Sequence, residues 1–241
     1  MSVTRPPNHR DHEADALPVC RPWDEIGLAI LILFATFAFM AAVYASAKKV
    51  LGPTYLMLVT AIPVEIFLIW ISVARARYLN CGDWVGGVAA GPIRRSCVFF
   101  VVAIIYQIAL LIHGLLMIHD GYSASGVWNP LIVAGHYGNF VLAAYIFHLT
   151  ILGPVSDEFF CRGWLWVALR RSWGVWPTAL CTAAIWWLMH WGLGLRGLFQ
   201  ILPDTIIITL VRLESESIRA TIPVHILINL RIVLITLLSV S

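Results

Sequence analysis

Apolar segments long enough to cross a lipid bilayer constrain this chain more than any other feature. The first, residues 26–47, contains 22 residues and no charged side chain, and a helix needs about 20 such residues to span the hydrocarbon core. Of the 241 residues, 60% are hydrophobic and only 12% are charged, against roughly 25% in an ordinary soluble domain. The composition excludes a soluble globular enzyme and a disordered chain. It predicts an all-α, polytopic transmembrane helical bundle.

The apolar runs predict about eight helices, because each run is bounded by charged residues, glycine or proline. The runs are 26–47, 54–74, 96–118, 137–152, 157–169, 174–191, 198–213 and 219–240. The fourth run is predicted to end at Gly153 and Pro154, because proline disrupts a helix.

We therefore expect three regions. They are a polar N-terminal tail (1–25), three helices and their loops without diagnostic motifs (26–136), and a C-terminal core (137–241).

The distribution of basic residues indicates an orientation. Loop 75–95 carries four arginines and one aspartate, whereas loop 119–136 contains no lysine or arginine. The positive-inside rule places loop 75–95 and the N-terminus in the cytoplasm, although Lys48 and Lys49 count against this. The net charge of +3, without a basic run longer than two residues, indicates contact with anionic lipid and no nucleic acid. We expect an integral, multi-pass protein of a bacterial inner membrane.

Ionisable residues inside the apolar runs are the candidate functional groups. A charge deep in a bilayer costs at least about 2.5–3.5 kcal/mol and persists where it faces a cavity or a partner. These residues are Glu65, Asp157, Glu158, Arg162, His190, Asp204, His225 and Arg231.

The densest segment is 156–163. Arg162 follows Glu158 at i,i+4, which predicts that the two side chains pair. Asp157 is rotated by about 100° and is therefore freer to meet water. The alternative is a structural ion pair beside one acid at a helix start, where acids are favoured.

Two further motifs follow in order, each on its own predicted helix. His190 lies four residues after Trp186, near the end of an apolar run, and a lone histidine there is more often structural. His225 and Asn229 share a helix face at i,i+4, and hydrogen bonding to a neighbouring helix is the alternative explanation. Seven of the eleven tryptophans lie between residues 164 and 191 and are predicted to anchor short helices at the membrane interface.

Together these motifs resemble the CAAX-protease and bacteriocin-processing (CPBP, ABI-type) family of intramembrane glutamic endopeptidases. The family pattern is Glu-Glu-xxx-Arg, then Phe-xxx-His, then His-xxx-Asn, and the resemblance covers roughly residues 137–240. Two residues depart from it: Asp157 replaces a glutamate, and Trp186 replaces a phenylalanine that is expected to serve in packing.

The resemblance implies an endopeptidase that hydrolyses a peptide bond in a membrane-associated substrate. The substrate classes that it allows are a prenylated CAAX-type tail, a leader peptide and a C-terminal sorting signal. It also implies a role for each motif residue: Asp157 and His190 activate water, Glu158 and Arg162 orient the site, and His225 and Asn229 donate to the oxyanion.

No cofactor is expected, with zinc as the alternative. Glu158, His190 and His225 could together form a two-histidine, one-carboxylate zinc site. The sequence has no His-Glu-xx-His signature, and the three residues lie on three helices, which favours a metal-free mechanism.

Two other classes of function remain open. One is a non-catalytic immunity or scaffold protein of the same fold, which the Asp157 departure favours. The other is a transporter or proton relay that uses the intramembrane acids and histidines, including Glu65 and Asp204. The chain shows no internal repeat, which counts against a transporter built from repeated halves.

Overall fold

The computed structural model describes residues 21–47, 53–79, 97–120 and 129–239. These residues form eight helices and no strand. The helices are α1 (Pro22–Ala47), α2 (Pro53–Tyr78), α3 (Cys97–His119), α4 (Asn129–His136), α5 (Asn139–Trp173), α6 (Val175–Met189), α7 (Gly194–Ser215, after a 3-10 turn at Trp191–Leu193) and α8 (Ile218–Leu238). Six of the described helices, all except α4 and α6, are long and apolar enough to cross a membrane. The predicted polytopic helical bundle is confirmed.

The prediction that a helix ends at Gly153 and Pro154 is wrong. Helix α5 continues through both residues because it contains two π-helical segments, His148–Leu152 and Glu158–Leu165. In the first, the N–H of Gly153 bonds to the carbonyl oxygen of His148, five residues earlier. This wider turn accommodates the proline ring, which clashes with the preceding carbonyl in an ordinary helical turn. The predicted fourth and fifth helices are therefore one helix, and α4 is a helix that the sequence did not predict.

Several residues on which the predictions rest lie outside the described residues. They are the tail up to residue 20, the lysines at 48 and 49, and most of loop 75–95. The orientation inferred from the basic residues therefore stays a prediction. Helix α1 begins at Pro22, so the last residues of the predicted tail are helical. Proline suits a first helical position, where the N–H has no intrahelical partner.

Helix α5 lies at the centre of the bundle, in contact with α1, α2, α6 and α8. Its buried side chains Phe160, Trp164 and Leu165 form part of the largest apolar cluster. At one end of this cluster Glu25, which is 1% exposed, accepts hydrogen bonds from Arg75 Nε (3.0 Å) and Trp164 Nε1 (2.8 Å). Glu25 falls in the predicted polar tail, but in the structure it joins α1, α2 and α5.

A second buried polar contact joins α3, α7 and α8. Asp204 accepts hydrogen bonds from Gln107 Nε2 (2.8 Å) and Arg231 Nη2 (3.1 Å). Two of the charged residues predicted as functional candidates therefore bond to each other. Such pairing is the usual way in which ionisable groups are kept within apolar helices.

The prediction that the clustered tryptophans are interfacial anchors is wrong for three of them. Trp164, Trp166 and Trp186 are buried, whereas Trp176 and Trp191 are more than half exposed. A buried indole N–H needs an acceptor. Two of the buried tryptophans donate to carboxylates, Trp164 to Glu25 and Trp186 to Asp157.

Candidate active site

A cavity of about 310 Å³ lies between α1, α2, α5, α6, α7 and α8. Most of its wall is apolar, from side chains such as Leu33, Val64 and Ile228. Its polar lining residues are Thr36, Glu65, His148, Ser156, Asp157, His190, Asp204 and Asn229. Buried concave sites of this kind, with a few converging polar groups, are where ligands and substrates usually bind.

Asp157 and His190 face each other on the cavity wall, with Asp157 Oδ2 4.0 Å from His190 Nε2. His190 Nδ1 lies 2.9 Å from the carbonyl oxygen of Trp186. A carbonyl oxygen can only accept, so Nδ1 carries the proton and Nε2 of the neutral ring has a free lone pair. Two acceptor atoms therefore face each other, too far apart for a direct hydrogen bond. A water molecule, which has two O–H donors, is the natural complement to such a pair.

Glu158 lies next to this pair but inside the protein. Its side chain is fully buried, and its Oε1 accepts hydrogen bonds from Arg162 Nη1 and His225 Nδ1, both at 3.1 Å. The predicted i,i+4 pairing of Glu158 and Arg162 is confirmed. His225 is 1% exposed and does not contribute to the cavity lining, so its placement supports a role in holding Glu158 more than the expected contact with an oxyanion.

Trp186 contacts Asp157 and His190 on the cavity wall and also the buried residues Arg162 and His225. Its indole Nε1 donates to Asp157 Oδ2 at 3.0 Å, and its ring lies 4.4 Å from the ring of His190. The guanidinium of Arg162 lies 4.9 Å from the Trp186 ring centroid, and His225 packs edge-on against the ring at 5.2 Å. Trp186 therefore does more than the packing that the resemblance implies for this position. The indole N–H, which phenylalanine lacks, was the signal that could have revealed its polar role.

Asn229 lies on the cavity wall and donates from Nδ2 to the backbone carbonyl of Leu149 at 2.7 Å. His225 and Asn229 thus both hydrogen-bond to α5, as the alternative explanation from the sequence stated. The Asn229 amide has a second N–H, which remains for another acceptor.

The structure divides the six predicted catalytic residues into two adjoining groups of three. On the cavity wall lie Asp157, His190 and Asn229, and behind it lie Glu158, Arg162 and His225. The first group can contact a substrate and the second can hold the helices that carry it. Cys161 is fully buried, with its thiol 3.8 Å from Met189 Sδ, and it does not line the cavity.

The alternative zinc ligands do not fit a metal site. Glu158 Oε1 and His225 Nδ1 bond to each other, whereas His190 faces Asp157. Zinc needs its ligands to converge on one point at about 2.0–2.3 Å. Among the described residues, no group of three His, Cys, Asp or Glu side chains is arranged to hold a metal ion.

One family model matches part of the chain. Residues 139–231 match the family model described as type II CAAX prenyl endopeptidase Rce1-like. The matched segment begins with α5 and contains all six predicted catalytic residues. Through this segment the chain is similar to the CAAX-protease and bacteriocin-processing family of membrane proteases. The six candidate spans are those of an integral, multi-pass membrane protein. No curated protein and no solved structure matches the chain significantly.

Proposed function

We propose that this protein is an intramembrane endopeptidase that hydrolyses a peptide bond with water activated by Asp157 and His190. The observation that carries the proposal is the pair of facing acceptors, Asp157 Oδ2 and His190 Nε2, 4.0 Å apart on the wall of a largely apolar cavity. The family of residues 139–231 supports proteolysis as the chemistry.

The proposed reaction begins with a water molecule bound between the two acceptors. His190 Nε2 takes one water proton as the water oxygen bonds to the scissile carbonyl carbon, and the Asp157 carboxylate stabilises the resulting imidazolium. His190 then returns the proton to the leaving nitrogen as the C–N bond breaks. The products are one new carboxyl group and one new amine, and both catalytic side chains end in their starting states.

Negative charge develops on the carbonyl oxygen when the water attacks. The second N–H of Asn229 is the cavity donor suited to that oxygen, because its first N–H already fixes the side chain on Leu149. A preorganised donor of this kind costs no reorganisation during the reaction.

The buried group acts through the residues on the cavity wall. Glu158 joins α5 to α8 through His225, and Trp186 fixes one oxygen of Asp157. These contacts support positioning roles for Glu158, Arg162 and His225, because catalysis is sensitive to misplacement by about 1 Å.

The substrate is proposed to be membrane-associated, with prenylated CAAX-type tails, leader peptides and C-terminal sorting signals as the candidate classes. The aliphatic part of the cavity wall supports a substrate with an apolar segment. The bacterial inner membrane remains the location that we expect.

The test compares the membrane-fraction peptide pool of cells that express the wild-type protein with that of cells expressing Asp157→Asn or His190→Ala. General acid–base residues typically contribute about 10²–10⁴-fold, so we expect both variants to accumulate uncleaved substrate at unchanged expression. Matched controls are Asp24→Asn and His113→Ala, which change exposed residues of α1 and α3. Wild-type-like turnover in either active-site variant would refute the assignment. Identical pools for wild type and both variants would favour a non-catalytic protein of the same fold.

A further inference from the structure

A second acid–histidine pair lines the same cavity. Glu65 of α2 and His148 of α5 bond through Oε2 and Nδ1 at 2.9 Å, and both side chains are largely buried. Neither belongs to the motifs that place Asp157 and His190. Three carboxylates, those of Glu65, Asp157 and Asp204, line one cavity of about 310 Å³. Asp204 is already held by Gln107 and Arg231, and the proposed mechanism uses only Asp157.

The position of Glu65 is fixed by its contact with α5. A Cβ atom built on Gly153 would lie 3.1 Å from Glu65 Oε1, so the carboxylate rests against the bare backbone of this glycine. Gly153 and Asp157 are the ends of a five-residue α-helical segment of α5 and lie at i,i+4. Residues at this spacing are neighbours on one helix face, with about 5–6 Å between their Cβ positions. Glu65 thus presents its carboxylate about one helical turn before Asp157.

The two oxygens of Glu65 differ in their contacts. Oε2 bonds to His148, whereas Oε1 has no hydrogen-bond partner within the described residues. Glu65 is partly buried and lines the cavity, so Oε1 is an acceptor that a bound ligand can reach. An extended peptide offers a main-chain N–H at regular intervals and advances about 3.3–3.6 Å per residue. One helical turn along α5 therefore corresponds to about two residues of a bound peptide.

We propose that Glu65 is a substrate-binding residue, whose Oε1 accepts a main-chain N–H of the substrate about two residues from the bond that is hydrolysed. His148 is its positioning residue, since it holds Oε2 and so directs Oε1 into the cavity. The inference rests on the proposed endopeptidase function and adds to it a contact that sets where along the peptide cleavage falls.

The experiment measures kcat and KM of the full chain in liposomes with a quenched fluorescent peptide that ends in a farnesylated CAAX sequence. Hydrogen bonds to charged groups contribute enough that Glu65→Leu is expected to raise KM roughly tenfold or more, with kcat changed by less than about threefold because Asp157 and His190 are intact. Glu65→Gln retains a carbonyl acceptor and should recover part of the loss. The matched control is Glu216→Gln, which makes the same change at an exposed glutamate.

A second series removes the donor from the substrate. Peptides that are N-methylated at one main-chain amide each are compared on wild type and Glu65→Leu. One methylation, about two residues from the cleaved bond, should raise KM for the wild type and have no further effect on the variant. Gly153→Ala should imitate Glu65→Leu in part, because its methyl group displaces Oε1, and it carries the same comparison if Glu65→Leu does not fold.

Unchanged KM in folded Glu65→Leu, or methylation effects that are the same in wild type and variant, would overturn the inference while leaving the endopeptidase intact. No cleavage of the peptide by the wild-type protein would refute the proposed function for CAAX-type tails, and the inference would fall with it.

Discussion

The side-chain amide of Asn229 donates a 2.7 Å hydrogen bond to the backbone carbonyl of Leu149, on a different helix. Inside α5 this carbonyl has neither the donor of an α-helical turn, at residue 153, nor that of a π-helical turn, at residue 154. The N–H of Gly153 bonds to His148 instead, and Pro154, the next residue, has no N–H. Asn229 therefore supplies from α8 the donor that the π-helical turn of α5 lacks, and the same contact holds its amide on the cavity wall.

Replacing Asn229 by leucine should destabilise the protein, because the partly buried Leu149 carbonyl then loses its side-chain donor. The expected loss in the free energy of unfolding is about 1–3 kcal/mol, measured by denaturation in detergent. The control is Asn139→Leu at the exposed start of α5, which should change stability by less than about 0.5 kcal/mol. Equal stability of the two variants would show that the Leu149 contact contributes little.

The two departures from the family pattern are in direct contact, and their effects should be coupled. Asp157→Glu adds a methylene and drives the carboxylate into the Trp186 indole, whereas Trp186→Phe removes the donor from Asp157. Each change alone should lower kcat by roughly tenfold or more. The double variant should recover most of the loss, with a coupling energy of about 0.5–3 kcal/mol.

The readout is peptide cleavage by the two single variants and the double variant. Trp176→Phe, at a largely exposed tryptophan, is the control for loss of an indole. Independent, additive effects of the Asp157 and Trp186 changes would contradict a positioning role for the indole N–H.

Stability and activity should separate at the Glu158–Arg162 pair. Arg162→Met leaves a fully buried carboxylate without its guanidinium partner, and breaking such a pair typically costs about 3–5 kcal/mol. Removing both charges in Glu158→Leu/Arg162→Met should recover part of that stability. Activity should stay low, because His225 and α5 lose the contact that aligns them.

Chemical denaturation in detergent and peptide cleavage are measured on the same preparations. A double variant that is less stable than Arg162→Met would contradict the expected burial cost of the lone carboxylate. Full activity in the double variant would show that Glu158 has no positioning role.

Activity should survive exhaustive chelation, because Glu158, His190 and His225 do not converge on one point. The measurement is peptide cleavage by purified protein before and after dialysis against a chelator, with zinc added back. Complete loss of activity that zinc restores would establish zinc dependence and would require the three side chains to rearrange.

The sequence correctly predicted those contacts of the site that depend on local helix geometry. The Glu158–Arg162 pair follows from i,i+4 spacing and was predicted correctly, and so was the greater exposure of Asp157, whose side chain is 16% exposed against 0% for Glu158. The spacing did not reveal that His190 Nε2 faces Asp157, because these atoms meet only when α5 and α6 pack. Nor did it reveal the pairing of Glu65 with His148, which lie 83 residues apart.

The sequence by itself determined that this is a helical membrane protein, because hydrocarbon admits long apolar segments only as internally hydrogen-bonded helices. It also showed which few polar residues lie within those apolar segments. Tertiary structure decided whether each of them is structural or faces the cavity, and it kept α5 whole across Gly153 and Pro154. The physical reason is that a buried polar group or a freed backbone carbonyl takes its partner from whichever helix packs beside it, as Leu149 does from Asn229 and Glu25 does from Trp164. That choice depends on contacts between residues far apart in the chain.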